Sequence, residues 1–491
     1  MQETETAHQL QRRLGLWDAT MLVAGSMIGS GIFIVSADMS RNVGSTGWLL
    51  FLWVLSGLIT VMAALSFGEL AGMMPKAGGQ FVYIQRAWGD LVSFLYGWTV
   101  FTVIQTGVIA AVAVAFAKYT GVFFPFISVD VVAIHLGNFK VSTAQIFAII
   151  SIILLTWINS KGINNGKRIQ TVFTTAKLLS LLLLITVGIY VGLNQNWFSL
   201  NFAHPWDAIQ ISKTASGDWI SQPVYGVALI LALGTAVIGS LFSSDAWNNV
   251  TFIAGEIRDP KKNIPLSLLI GTSIVTVLYC LANVAYLGLL PLHGVATAHD
   301  VIGQGIQFAN NDRVATAAAS GILGNSSVYF MAILIMISTF GCNNGIILSG
   351  ARVYYAMAKE GLFFKRASTL NKNDVPGFAL VMQAIWASIL CLSGTYGDLL
   401  DYVTFASLLF YIVTIAGLFI LRKREPNADR PYKVIAYPIL PFLYIAIALT
   451  ICIILLITKP QNTWSGLLIV SLGIPFYYLT KKKNSVTTSE K

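Results

Sequence analysis

Twelve runs of largely apolar residues dominate this chain of 491 residues. Each is about as long as a helix must be to cross a bilayer, roughly 20 residues. Their approximate limits are 16–39, 47–72, 88–117, 142–160, 168–193, 224–255, 264–290, 325–357, 376–394, 399–421, 435–458 and 464–480. Strands of a membrane barrel would instead show weak alternating segments of about ten residues. The first run carries no small-residue cleavage pattern, so it reads as a span and not as a leader. Only 11% of the residues are charged and 56% are hydrophobic, whereas a soluble domain has about a quarter charged. A soluble enzyme, a nucleic-acid binder and a disordered regulator are excluded on that ground. Cys280, Cys342, Cys391 and Cys452 all lie inside apolar runs, and no disulfide framework, metal site or cofactor site is expected.

The placement of Lys and Arg sets the orientation. With the N-terminus inside, 24 of the 31 Lys and Arg fall in inside segments, 6 fall outside, and Lys177 alone lies within a span. The formal net charge of +10 is therefore a topology signal. The expected division is a cytoplasmic tail over 1–15, one transmembrane domain over 16–480 and a basic cytoplasmic tail over 481–491. His135, His204, His293 and His299 all fall in outside loops, which makes histidine a poor candidate for a proton relay in the membrane.

Three places depart from a plain spanning helix. The first run holds Gly25-Ser26-Met27-Ile28-Gly29-Ser30-Gly31 in its middle. Three glycines and two serines in seven residues weaken a helix, and at 1.5 Å per residue they sit roughly 15–22 Å from the inner end. The sixth run breaks its apolar course at Phe242-Ser243-Ser244-Asp245-Ala246-Trp247, with Asp245 roughly 16 Å above the inner face. Lys177 lies about 15 Å into the fifth run. An ionisable side chain at that depth costs at least about 2.5–3.5 kcal/mol and needs a partner or a wet cavity. The Gly25/Gly29 pair also fits a helix-packing motif, which leaves Ser26, Ser30 and Gly31 unexplained. Asp245 is read two ways, as the cap of a helix restarting at Ala246 or as a pocket residue. Lys177 either pins helices together or takes part in a transport cycle.

Backbone leaves the helix inside a bilayer only where it faces protein or a cavity. Around Gly31 the second half of run one offers N–H groups and a positive dipole end; Gly25, Ser26, Phe242 and Ser243 offer carbonyls. A carboxylate beside an ammonium satisfies both, and that is the main-chain part of an α-amino acid. Interrupted half-helices meeting at the midplane are the device of LeuT-type transporters. The broken runs are numbers one and six, five apart. The expected fold is all-α, with twelve transmembrane helices: two inverted five-helix repeats over 16–193 and 224–421, then two extra helices over 435–480.

These residues resemble the amino acid–polyamine–organocation superfamily, and within it the bacterial relatives of L-type amino acid transporters. The resemblance rests on Gly25 to Phe33, on Glu69-Leu70 and Pro75-Lys76-Ala77-Gly78-Gly79-Gln80-Phe81-Val82-Tyr83, on Ala246-Trp247-Asn248, and on Glu256-Ile257-Arg258-Asp259-Pro260 with Asn263-Ile264-Pro265. It implies sodium-independent secondary transport of L-amino acids, by antiport or with protons, in the plasma (bacterial inner) membrane. It implies a substrate site from Ser26, Met27, Ile28, Gly29, Ser30, Gly31, Phe242, Ser243, Ser244, Asp245 and Trp247. There N–H groups of Ser30 and Gly31 take the carboxylate, and carbonyls of Ser26, Met27 and Phe242 take the amine. Phe242 closes over the substrate from outside, and Lys177 stands where sodium-coupled relatives hold an ion. A short helix is implied within the Pro75–Trp88 loop. Many L-type members carry Gly where this chain has Asp245, so the range is open between neutral and basic amino acids. The loop Thr120–Ser142 has no cysteine, so no disulfide-linked heavy subunit is expected.

The rival readings are a polyamine or organic-cation carrier of the same fold, for which only Asp245 is present as a pocket acid, and an amino-acid sensor that binds without cycling. No nucleophile–base pair or clustered carboxylates at one depth supports a membrane enzyme.

Overall fold

The computed structural model describes residues 10–136, 139–214, 216–393 and 396–489. Among them, nine helices are long and apolar enough to cross a membrane, and Gly377–Leu392 and Thr463–Leu479 are shorter apolar helices. The interrupted first run completes the twelve spans, numbered here as the runs. Span 1 is split into Leu16–Met27 and Val35–Val43. Span 2 is Thr46–Met73, span 3 Asp90–Thr120, span 4 Thr143–Ser160 and span 5 Ile163–Gly192. Span 6 is split into Gly226–Ser243 and Asn249–Phe252. Span 7 is Pro260–Leu289, span 8 Ser327–Lys359, span 9 Gly377–Ser393, span 10 Tyr396–Arg424, span 11 Ile439–Thr458 and span 12 Pro460–Ser489.

The apolar runs become helices because a membrane leaves backbone groups no partner but their own helix. Exposed apolar side chains fall at helical spacing, such as Phe51, Val54 and Leu58 on span 2 and Ile150, Ile153, Leu154 and Trp157 on span 4; these stripes face hydrocarbon. Two differences from the sequence reading are local. Span 12 continues through Ser489, past the expected limit of 480, because no Gly or Pro stands between Phe476 and Ser489 to stop it. Two hairpins, Val132–Leu136 with Phe139–Ser142 and Ile209–Lys213 with Trp219–Pro223, occupy loops read without structure. The short helix implied after Pro75 forms at Gln80–Trp88.

The loops gather on two faces. On the basic face, Arg86 meets Glu425 at 2.5 Å, Lys261 meets Asp429 at 2.6 Å and Lys167 meets Asp18 at 2.7 Å. Buried Glu69 on span 2 takes Arg422 at 2.5 Å and Arg430 at 3.3 Å. Glu256, just past span 6, pairs with Arg352 of span 8 through two nitrogens at 2.7 and 3.2 Å, and these side chains are 1% and 0% exposed. The N-terminal segment closes over this pair: Arg13 and Leu14 donate their N–H groups to the Glu256 carbonyl at 2.9 and 3.0 Å. On the opposite face, Arg41 meets Asp312 at 2.7 Å and Thr46 donates to the Asn201 carbonyl.

Candidate functional site between two interrupted spans

Span 1 stops at Met27 because Ile28 turns to an extended conformation, φ −77° and ψ 93°. A short 3-10 turn, Gly31–Phe33, precedes the second half. Span 6 stops at Ser243, passes through Ala246 at φ 64° and restarts at Asn249. A left-handed alanine inside a membrane is costly and marks a break held by its surroundings. The breaks touch: a Cβ added at Gly31 would stand 2.2 Å from Ser243 Oγ and 2.9 Å from Ser243 Cβ.

The carbonyls released by the first break are taken up by four side chains on three neighbouring spans. Lys177 Nζ, on span 5, donates to Gly25 O at 2.5 Å, Ile28 O at 2.7 Å and Ser338 O at 3.4 Å. Ser338 Oγ on span 8 donates to Ile28 O at 3.0 Å and Gly29 O at 2.9 Å, and Cys342 Sγ donates to Ser26 O at 3.0 Å. Tyr279 on span 7 donates toward Met27 O at 3.2 Å and Ser243 O at 3.0 Å. Lys177 thus binds spans 1, 5 and 8 together as an internal cation.

Asp245 does not cap a helix starting at Ala246. The helix restarts three residues later with Asn248 at its cap position, and the Asp245 carboxylate turns to span 10, accepting from Tyr411 Oη at 2.5 Å and Ser407 Oγ at 3.3 Å. The left-handed turn at Ala246 delays the restart and aims that carboxylate sideways.

A hollow of about 20 Å³ lies between the breaks, room for about one water. Eight of the eleven expected residues line it: Ser26, Met27, Gly29, Ser30, Gly31, Phe242, Ser243 and Asp245. Ile28 contributes its carbonyl behind the wall. Ser244 and Trp247 line a neighbouring cavity that shares Asp245 with the hollow, and Trp247 packs edge-on to Phe67 at 4.8 Å. Val108 and Val112 of span 3, Cys342 and Ala246 complete the hollow and were not expected. Span 3 reaches it after a wide π-helical turn at Val100–Ile104, where Trp386 Nε1 donates to the Thr102 carbonyl at 3.0 Å. Above the hollow, a vestibule of about 940 Å³ opens to the opposite face, with Ser30 and Phe242 lining both spaces. Its walls carry Asp38, Arg41, Lys118, Asp130, Asp312 and Arg313.

Residues 14–478 match a family model described as amino acid permease. The chain belongs to the amino acid permease family. The permease is 30% identical over 475 residues to the mouse Asc-type amino acid transporter 1, covering 96% of this chain and 81% of that one. It is 30% identical to the human large neutral amino acids transporter small subunit 2, covering 96% and 80%. It is 28% identical to the human b(0,+)-type amino acid transporter 1, covering 97% and 89%. The permease is a multi-pass membrane transporter of amino acids and not an enzyme.

Other residues of the site lacked a strong sequence signal but left a faint one. Gln170, Thr174 and Lys177 recur at helical spacing on span 5, and Gln170 and Thr174 both reach Met21 O, at 3.4 and 3.3 Å. Tyr279, Asn283 and Tyr286 form a like stripe on span 7. Asn283 accepts from Ser36 Oγ at 2.6 Å, and Tyr286 reaches Ile32 O at 3.4 Å.

Proposed function

We propose that the permease exchanges L-α-amino acids across the plasma membrane by alternating access, without sodium, and with both tails in the cytoplasm. The observation that carries the sodium-independent part is Lys177. Its ammonium already fills a cage of three carbonyls beside the first break, so a second cation there meets a fixed positive charge. The carboxylate of the cargo lies on the N–H groups of Ser30 and Gly31 at the head of the second half-helix. Its amine goes to the carbonyls of Ser26, Met27 and Phe242. Phe242, shared by vestibule and hollow, is the lid on the opposite face, which is the outer one; the basic face is cytoplasmic. Repeat one covers 16–193 and repeat two 224–421, and the permease works without a disulfide-linked heavy subunit, since its four cysteines all lie in spans.

Asp245 sets the range. Its carboxylate is held by two hydroxyls of span 10 while the residue lines the hollow, which supports a broad range that admits neutral side chains and tolerates basic ones. The test is uptake of labelled amino acid into proteoliposomes, with a competition panel of the twenty amino acids. Label entering only when unlabelled amino acid waits on the other side, with no response to sodium, supports the reading. Dependence on sodium overturns it, and dependence on a proton gradient replaces exchange by symport. Asp245→Gly is expected to lower competition by Lys and Arg relative to Leu; an unchanged panel removes Asp245 from selection.

A further inference from the structure

The vestibule is as large as the hollow is small. Its volume of about 940 Å³ is within the range of pockets that enclose small ligands. Its walls carry four cations, Arg41, Lys118, Arg313 and Lys459, against three acids, Asp38, Asp130 and Asp312. Arg41 is engaged on several sides: it reaches Asp312 at 2.7 Å, Asp38 at 3.6 Å and the Gln307 carbonyl at 2.7 Å. Arg313 is turned elsewhere. Asn311 and Asp312 both take a left-handed φ, 52° and 59°, which is uncommon outside glycine. This turn sends Asp312 to Arg41 and Arg313 over the ring of buried Tyr119, 4.9 Å from its centroid. Among the described residues the Arg313 guanidinium holds no ion pair, and its N–H donors form a fork suited to a carboxylate. Lys118, next to Tyr119 at the outer end of span 3, is within electrostatic reach of Arg313 and of Asp130. Two cations thus crowd one wall of a space that leads to the hollow, and such a wall draws in anions.

We propose that Lys118 and Arg313 form a carboxylate-docking site in the vestibule, where an amino acid from outside halts before Phe242 yields. The inference rests on the reading above of the cargo and of the outer face. Asp130, on the same wall, supplies the acceptor for the ammonium. The site is distinct from the hollow: Val112 of span 3 lines the hollow, and Lys118 lies six residues farther along the same helix, about 9 Å by helix rise. It needs a carboxylate and gains little from the amine, whereas the hollow needs both. A passenger coming from the cytoplasm meets the hollow first, so the site acts on entry from outside.

The test measures exchange of labelled leucine in right-side-out and inside-out membrane vesicles. The probe is 4-methyl-2-oxopentanoate, which keeps the carboxylate and side chain of leucine and lacks the amine. The expected result is competitive inhibition by the oxo acid in right-side-out vesicles and much weaker inhibition in inside-out ones. Arg313→Gln should remove that inhibition and raise the ratio of outer to inner KM about 2- to 5-fold, the worth of one partly exposed ion pair. Arg313→Lys, which keeps the charge, should recover part of both. Should Arg313→Gln not reach the membrane, Lys118→Gln replaces it with the same expectation. Damage to the fold or to the hollow shifts both KM values together and leaves their ratio unchanged. Wild-type vesicles that exchange no leucine overturn the transport reading and the docking site together. Leucine exchange with oxo-acid inhibition equal on both faces, or absent from both, overturns the docking site alone, and so does an unchanged KM ratio in the variant.

Discussion

Single side chains hold the broken backbone in place. Lys177 was legible as an anomaly, a charge at the wrong depth in an apolar run. The resemblance pointed it to the unwound part of span 1; the individual carbonyls, those of Gly25 and Ile28, were not legible, because the side chains there say nothing about hydrogen bonding. Lys177→Met leaves those carbonyls without their charged donor. Bonds to charged groups are worth about 1.5–3 kcal/mol, so transport should fall about 10- to 100-fold with surface-biotinylated protein undiminished. Transport at the wild-type rate would reduce Lys177 to packing. The cap reading of Asp245 failed for a local reason: the sequence does not announce that Ala246 adopts φ 64°, and that one dihedral moves the helix restart and redirects the carboxylate toward Tyr411.

At the scale of elements, both interruptions were readable, one from a glycine–serine string and the other from polar residues in an apolar run. Their meeting was expected from the same pattern; which residues touch was not, since Gly31 and Ser243 lie more than two hundred positions apart. Gly31 lies against Ser243 with no room for a side chain. Gly31→Ala brings a methyl against Ser243, and overpacking of this kind costs about 1–3 kcal/mol. The exchange rate should drop roughly 5- to 100-fold, and Gly31→Ala with Ser243→Gly should recover most of it; failure of the pair to recover would mean that the glycine serves backbone flexibility and not spacing. A second joint lies nearer the basic face, where Glu256 and Arg352 link the segment after span 6 to span 8. Breaking a buried pair from one side costs about 3–5 kcal/mol. Arg352→Gln should therefore lower the unfolding temperature markedly in a fluorescence melt, and Glu256→Gln added to it should restore much of the loss. Melts of single and double variants that coincide would show the two charges to be uncoupled.

Taken whole, the molecule is asymmetric about the hollow. The basic face is sealed by the N-terminal segment, Glu256 and Arg352, and the other side is a wide vestibule. A cysteine placed in the vestibule wall, as in Thr235→Cys, should react quickly with an impermeant thiol reagent added from the outer side of intact cells. One at Gln80, which is buried and bonded to Phe410 O and Thr414, should react slowly from either side. The opposite ordering would mean that the resting protein opens the other way. Span count and charge bias were plain from the chain because both depend on local composition; the sealed and open ends were not, because they depend on which distant loops meet.

The hollow has a consequence of its own. A chamber with space for a single solvent molecule fits no amino acid as it stands, so every passenger must push its walls outward. Discrimination among passengers is then a question of elasticity: how readily the valines of span 3 and the thiol of span 8 yield. A carrier of this kind ranks its passengers by the deformation each demands, and tolerates variety as long as the walls spring back.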